Sequence, residues 1–141
     1  GQLEVNYNEF HLNVMVFQLY SLFKTAINNS GKDIELHSYK ALGDKESRIV
    51  ADENKIRQIL SCLINNAIKF TTSGYIEFGY TFNHDEKFQN GNKPYLLFYV
   101  KDTGIGIPRS YQSAAWANMG RIRRKRGFNV LFHCTLLFFY A

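Results

Sequence analysis

The sequence predicts an α+β domain, an α/β sandwich in which a mixed sheet carries helices on one face. Three observations lead there. Two segments repeat apolar residues at the 3.6-residue period of a helix buried along one side, and a third alternates at the two-residue period of a half-buried strand. A polar stretch between that strand and the next apolar run marks a hairpin, so at least part of the sheet is antiparallel.

Residues 1–7 read as a short strand with Leu3 and Val5 on one face. A helix starts near Leu12, with Leu12, Met15, Val16, Leu19, Leu22, Phe23 and Ala26 as its buried stripe. The polar run at 28–33 ends it, and Gly31 can take a left-handed cap or turn. Strands follow at 34–42 and 48–51, separated by a turn at 43–46. Asp52 stands at a helix N-cap, with Lys55 rather than Glu three residues on, which makes a simple cap and not a capping box. The helix it starts, at 53–71, is the most periodic segment: Ile56, Ile59, Leu60, Leu63, Ile64, Ala67 and Ile68 form its stripe. Residues 71–74 stop it. From Tyr75 to Phe82 the chain alternates, with Ile76, Phe78, Tyr80 and Phe82 on the apolar side. Residues 83–93 form the hairpin loop, with Asn90-Gly91 as its turn, and 94–100 return as a strand.

A chain of 141 residues with 45% apolar and 16% aromatic side chains is one folded domain, too apolar and too weakly charged to be disordered. No apolar run approaches the roughly 18 residues that cross a bilayer, so no membrane contact is expected of this segment. Cys62 and Cys134 are too few for a disulfide scaffold and lack zinc-type spacing, which fits a reducing, cytoplasmic setting. The sequence opens on Gly1 and shows no signal peptide, as a piece of a longer protein would.

The net charge of +5 is unevenly placed. Residues 1–100 hold ten Lys/Arg and eleven Asp/Glu, a net −1, whereas 101–141 hold seven basic residues against Asp102 alone, a net +6. The body is near neutral and the tail is basic.

Two motifs carry chemistry. On the second helix, at about 100° per residue, Cys62, Asn66 and Lys69 fall within roughly 60° of one another beside the apolar stripe. An Asn amide oxygen suits a Mg²⁺ ion that keeps its other sites for phosphates and water, and a nearby Lys neutralises phosphate. Alone, the same strip is also what a solvated helix edge looks like. The second motif is Val100-Lys101-Asp102-Thr103-Gly104-Ile105-Gly106-Ile107-Pro108, directly after a strand. A strand-end carboxylate followed by Gly-x-Gly lets a planar heterocycle approach the backbone and donate an exocyclic amine to Asp102. Neither the third glycine of the dinucleotide fingerprint nor the Gly-Lys-Ser/Thr of a P-loop is present, and a bare Asp-x-Gly-x-Gly also fits an ordinary turn.

In combination they say more. Residues 52–71, DENKIRQILSCLINNAIKFT, followed by GYIEFGY and VKDTGIGIP, closely resemble the N box and first glycine box of the ATP-binding domain of sensor histidine kinases, the Bergerat or GHKL fold. The resemblance covers residues 1–108. It implies that ATP or ADP binds with Mg²⁺, that Asn66 coordinates the metal and that Lys69 faces the phosphates. It further implies that Asp102 recognises the adenine amino group, that Gly104 and Gly106 let backbone and nucleotide meet, and that Ile107 gives apolar contact to the base. The implied partners are a dimerisation helix pair bearing the phosphoacceptor histidine, and a response regulator. None of His11, His37, His84 and His133 sits in the acceptor motif, so no catalytic residue is assigned to this fragment.

One departure lies within the match: the family usually has a second Asn one turn before Asn66, and here Cys62 stands there. A thiol is a poor Mg²⁺ ligand, so the site should be weakened; the simplest reading of Cys62 itself is a small buried residue.

After Pro108 the family's phenylalanine box, lid and second glycine box are missing, and 109–141 read as a basic and apolar tail foreign to the family. With permitted codon choices, the coding sequence for Trp116 to Leu137 read one nucleotide later can spell GQIWEESGEKEVSTFYFTVPYY, which resembles the closing strands of histidine kinase domains; the tail is therefore read as a frame-shifted remnant. Rival readings are an inactive interaction module, or a basic arm at 121–126 that binds nucleic acid. No stacking aromatics accompany that arm, so nucleic acid is not expected. The apolar run at 128–140 can add a strand to the sheet or pair with another chain across an exposed edge. The reading as a whole is a nucleotide-binding fragment that binds weakly and is not competent alone.

Overall fold

The computed structural model of the protein describes residues 6–84, 94–102 and 129–134. Their elements are β1 (Asn8–His11), α1 (Leu12–Ser30), β2 (Asp33–Lys40), a 3₁₀ turn (Asp44–Glu46), β3 (Arg48–Ala51), α2 (Glu53–Phe70), β4 (Ser73–His84), β5 (Pro94–Asp102) and β6 (Asn129–Cys134). β2, β4, β5 and β6 form one sheet in that order, while β1 and β3 pair separately.

The main sheet is mixed, as the sequence predicts. β2 runs parallel to β4, β4 antiparallel to β5, and β5 parallel to β6. Parallel pairing of β2 with β4 needs a crossover, which β3 and α2 supply. Register then sets the faces: Ile34 and Leu36 of β2, Ile76, Phe78 and Tyr80 of β4, and Leu96, Phe98 and Val100 of β5 are all buried and join one core with the apolar stripes of α1 and α2. The opposite face carries Glu35, His37, Tyr39, Tyr75, Glu77 and Lys101, all at least partly exposed. Both helices therefore cover the same side.

α2 follows its periodicity closely. Ile56, Leu60, Leu63, Ile64 and Ala67 are buried, and Ile59 and Ile68 pack at the margin. Asp52 caps it, with one carboxylate oxygen accepting from Lys55 N–H at 3.1 Å and the other from Asn6 N–H at 3.0 Å.

α1 departs from the predicted stripe at two positions: Leu22 is 60% exposed and Ala26 is exposed, whereas Ile27 is buried. The buried residues Met15, Leu19, Phe23 and Ile27 form a single row at intervals of four. Such a row turns about 40° per step around the helix, so by the second half the contact line has left Leu22 and Ala26 behind. At its start α1 has no side-chain cap of its own; Leu12 N–H donates to Ser47 O at 2.9 Å and Asn13 N–H to Ser47 Oγ at 3.4 Å. Gly31, at φ 74°, closes the other end in the left-handed conformation.

Other differences concern strand ends. Among the described residues the first strand is Asn8–His11, paired with β3, with Phe10 as its buried residue; of the expected strand at 1–7, residues 1–5 with Leu3 and Val5 lie outside the described residues. β2 stops at Lys40, short of Leu42, because Leu42 leaves the ladder to join a polar corner: its N–H donates to the Tyr80 hydroxyl at 3.3 Å, and its carbonyl accepts from Asn13 Nδ2 at 2.9 Å. Phe82, predicted inward, is 39% exposed, since β2 pairs with β4 only as far as Tyr80. β5 runs two residues beyond Val100, to Asp102. The Asn90-Gly91 turn lies outside the described residues. Part of the tail's apolar run does add a strand, since β6 aligns Asn129–Cys134 with residues 95–100 of β5.

Candidate functional site

The chain path brings the end of α2 and Asp102 to one end of the sheet. α2 feeds β4 after a two-residue junction, Thr71 and Thr72, so the last turn of α2 lies beside the start of β4. β5 runs antiparallel to β4 with Ile76 opposite Asp102, so β5 ends where β4 begins. From Ser73 to Ile76 is about 10 Å of strand. The last turns of α2 and the carboxylate of Asp102 thus occupy the same end of the sheet. They share a face as well, because Asp102 has the parity of the buried Leu96, Phe98 and Val100.

Within α2, Asn66 is half-buried, while Cys62 and Lys69 are exposed. Burial is thus not what holds a cysteine at position 62, contrary to the simplest sequence reading: the thiol is free and faces solvent one helical turn before Asn66. The Lys69 ammonium lies 5.5 Å from the centre of the Phe70 ring, a cation–π distance from which the flexible side chain can swing to a phosphate. Asp102 is 5% exposed. Carboxylates are rarely buried that far unless polar groups meet them.

Thr71 is the residue at this end that sequence reasoning missed. It is fully buried, and its hydroxyl finds no hydrogen-bond partner among the described residues. A buried hydroxyl without a protein partner is uncommon. In the sequence Thr71 reads as no more than a helix stop. Gly104, Gly106 and Ile107 lie outside the described residues, as does the basic run at 121–126.

The donor set fits a metal brought in by a ligand. Among the described residues no three of His, Cys, Asp or Glu gather to hold an ion. A single Asn amide matches Mg²⁺ that takes most of its oxygens from phosphate and water. Also among the described residues, no helix is long and apolar enough to cross a membrane.

Residues 51–132 match the model of the family described as histidine kinase-, DNA gyrase B-, and HSP90-like ATPase. That span reaches through part of the tail and into β6. The chain is 29% identical over 110 residues to the autoinducer 2 sensor kinase/phosphatase LuxQ of Vibrio vulnificus, covering 78% of this chain and 12% of LuxQ. It therefore spans about an eighth of that relative's length. The catalytic domain of histidine kinase ThkA superposes with a TM-score of 0.50 at 25% identity, over 74% of this chain and 65% of that one. ThkA in complex with the response regulator protein TrrA gives 0.52 at 25% identity, over 78% of this chain and 29% of that one.

Proposed function

Because the chain belongs to the histidine kinase-, DNA gyrase B-, and HSP90-like ATPase family, and to its sensor histidine kinase branch as an ATP-binding fragment, we propose how its residues share the work of holding the nucleotide. Asp102 accepts from the adenine amino group, with Gly104, Gly106 and Ile107 completing the base side. Asn66 holds Mg²⁺ through its amide oxygen and Lys69 meets the phosphates. The observation that carries this reading is the convergence of Asn66, Lys69 and Asp102 at one end and on one face of the sheet. When bound, Mg²⁺ neutralises phosphate charge and fixes the phosphate geometry. Phosphoryl transfer depends on positioning and electrostatics more than on covalent chemistry by the protein. With a thiol at position 62, binding is weak, and this chain alone does not transfer phosphate.

The nucleotide-binding motifs lie within 1–108, and of the tail, residues 129–134 join the same sheet as β6. In the parent protein, on the cytoplasmic side, the partners are a dimerisation helix pair that bears the phosphoacceptor histidine, and a response regulator; the complex of ThkA with TrrA supports the second. Among the described residues β2 and β6 are the outer strands of the sheet, and pairing of two chains along it would use one of these edges.

A titration with Mg·ADP followed by amide NMR shifts tests the assignment. Perturbations should cluster at Asn66, Lys69, Thr71 and Asp102. Shifts confined to the opposite face, at His37, Tyr75 or Lys101, would refute it.

A further inference from the structure

Lys32 joins the turn after α1 to the end of α2. Gly31 turns the chain, and the Lys32 N–H donates to Ser30 Oγ at 3.1 Å, while that hydroxyl donates to Ile27 O at 2.6 Å. The backbone of Lys32 is thereby held against the last turn of α1. Its ammonium then reaches across, donating to Ile68 O at 2.6 Å and to Lys69 O at 3.3 Å. These are two of the four carbonyls that a helix cannot satisfy by itself; a third, Ala67 O, accepts from Thr71 N–H at 3.0 Å. A cation in this place also meets the negative end of the helix dipole. The next residue, Asp33, is paired with Ser73 at the start of β4, so the turns after α1 and α2 are joined at adjacent positions by side chain and by ladder.

We propose that Lys32 is a positioning residue of the nucleotide site: by tying down the last turn of α2 it sets Asn66 and Lys69 where they meet the phosphate end of the ligand. The inference rests on the nucleotide reading above. Lys32 does not touch the nucleotide; it acts through the carbonyls of residues 68 and 69. Its loss should therefore be felt at the phosphates and not at the base, which Asp102 holds from β5.

The test compares wild type, Lys32→Met and Lys32→Arg by NMR titration with Mg·ADP and, separately, with adenosine, which lacks phosphates. Lys32→Met should bind Mg·ADP about tenfold more weakly, as when an outer partner of a bound group is removed. Adenosine binding should stay within about twofold of wild type, and Lys32→Arg, which keeps a charged donor, should restore most of the Mg·ADP affinity. The free Lys32→Met protein should also show displaced amide signals at residues 69–71, and Lys32→Arg should not. Equal Mg·ADP affinity in Lys32→Met and wild type overturns the proposal, and so does an equal loss for both ligands, which would mark a purely structural role. A wild-type protein that binds neither ligand removes the nucleotide reading and this inference with it.

Discussion

The amide of Asn13, in the first turn of α1, accepts a hydrogen bond from the hydroxyl of Tyr80 on β4, 67 residues further along the chain. The same amide donates to Leu42 O at 2.9 Å and to Asp44 Oδ1 at 2.8 Å, and the Tyr80 hydroxyl accepts from Leu42 N–H. Asn13 and Tyr80 are both buried. One polar cluster thus pins the start of α1, the end of β2 and the middle of β4 together.

Removing the Tyr80 hydroxyl leaves Asn13 Oδ1 and Leu42 N–H unpaired inside the protein. Tyr80→Phe is expected to cost about 1–3 kcal/mol of stability by urea denaturation. Asn13→Ala should cost a similar amount, and the double variant should lose less than the sum of the two, because the residues share one bond.

The same hydroxyl makes the fold sensitive to alkali. Burial pushes Tyr80 up to about 12 from 10.0, with the nearby Asp44 adding to the rise and the Leu42 N–H opposing it. Tyr99 moves in the same direction, first through burial and then through its bond to Glu77, where its hydroxyl donates at 2.6 Å. Both groups hold their protons more tightly folded than unfolded. Their contribution is fully present below about pH 10 and is lost as the pH rises toward the folded-state values. The urea midpoint should therefore fall from about pH 10 upward, and fall less in Tyr80→Phe.

Gly79 is required by a close approach of strands. A Cβ built there would stand 2.1 Å from Tyr39 O and 2.9 Å from Tyr39 N, both backbone atoms that cannot swing aside. Gly79→Ala should destabilise the protein by about 3 kcal/mol and loosen β2 from β4, as faster amide exchange across 38–40 would report. An unchanged melting temperature would contradict this.

Cys62, exposed one turn before Asn66, gives a chemical reading of the site. It should react with a maleimide in the folded protein, and Mg·ADP should slow that reaction. Cys62→Asn restores a neutral oxygen donor beside Asn66. It should tighten Mg·ADP binding by about threefold or more, with little change in stability, because an exposed helix position carries little packing energy.

Much of this arrangement is legible in the residues before any coordinates. The second helix, its Asp52 cap and the alternation of Ile76, Phe78 and Tyr80 are readable because each reports a single face against a single core. The errors come where tertiary contact turns away from local pattern. In α1 the buried row drifts around the helix and leaves Leu22 outside. Around Leu42 a polar corner ends the strand early, and at Phe82 β4 outruns its neighbour β2. At the site, Asn66, Lys69 and Asp102 are readable as residue types at motif spacing. The buried hydroxyl of Thr71 and the reach of Lys32 to another helix's carbonyls are not, because both depend on packing between segments far apart in sequence.

Whether Asp102 reads the adenine of a bound nucleotide is decided by calorimetric titration of Mg·ADP into wild type and Asp102→Asn. Wild type should give weak, saturable heat and Asp102→Asn binding at least about tenfold weaker, because an amide turned to serve one partner loses another. Both proteins should melt at similar temperatures. Equal heats from two equally folded proteins would contradict it.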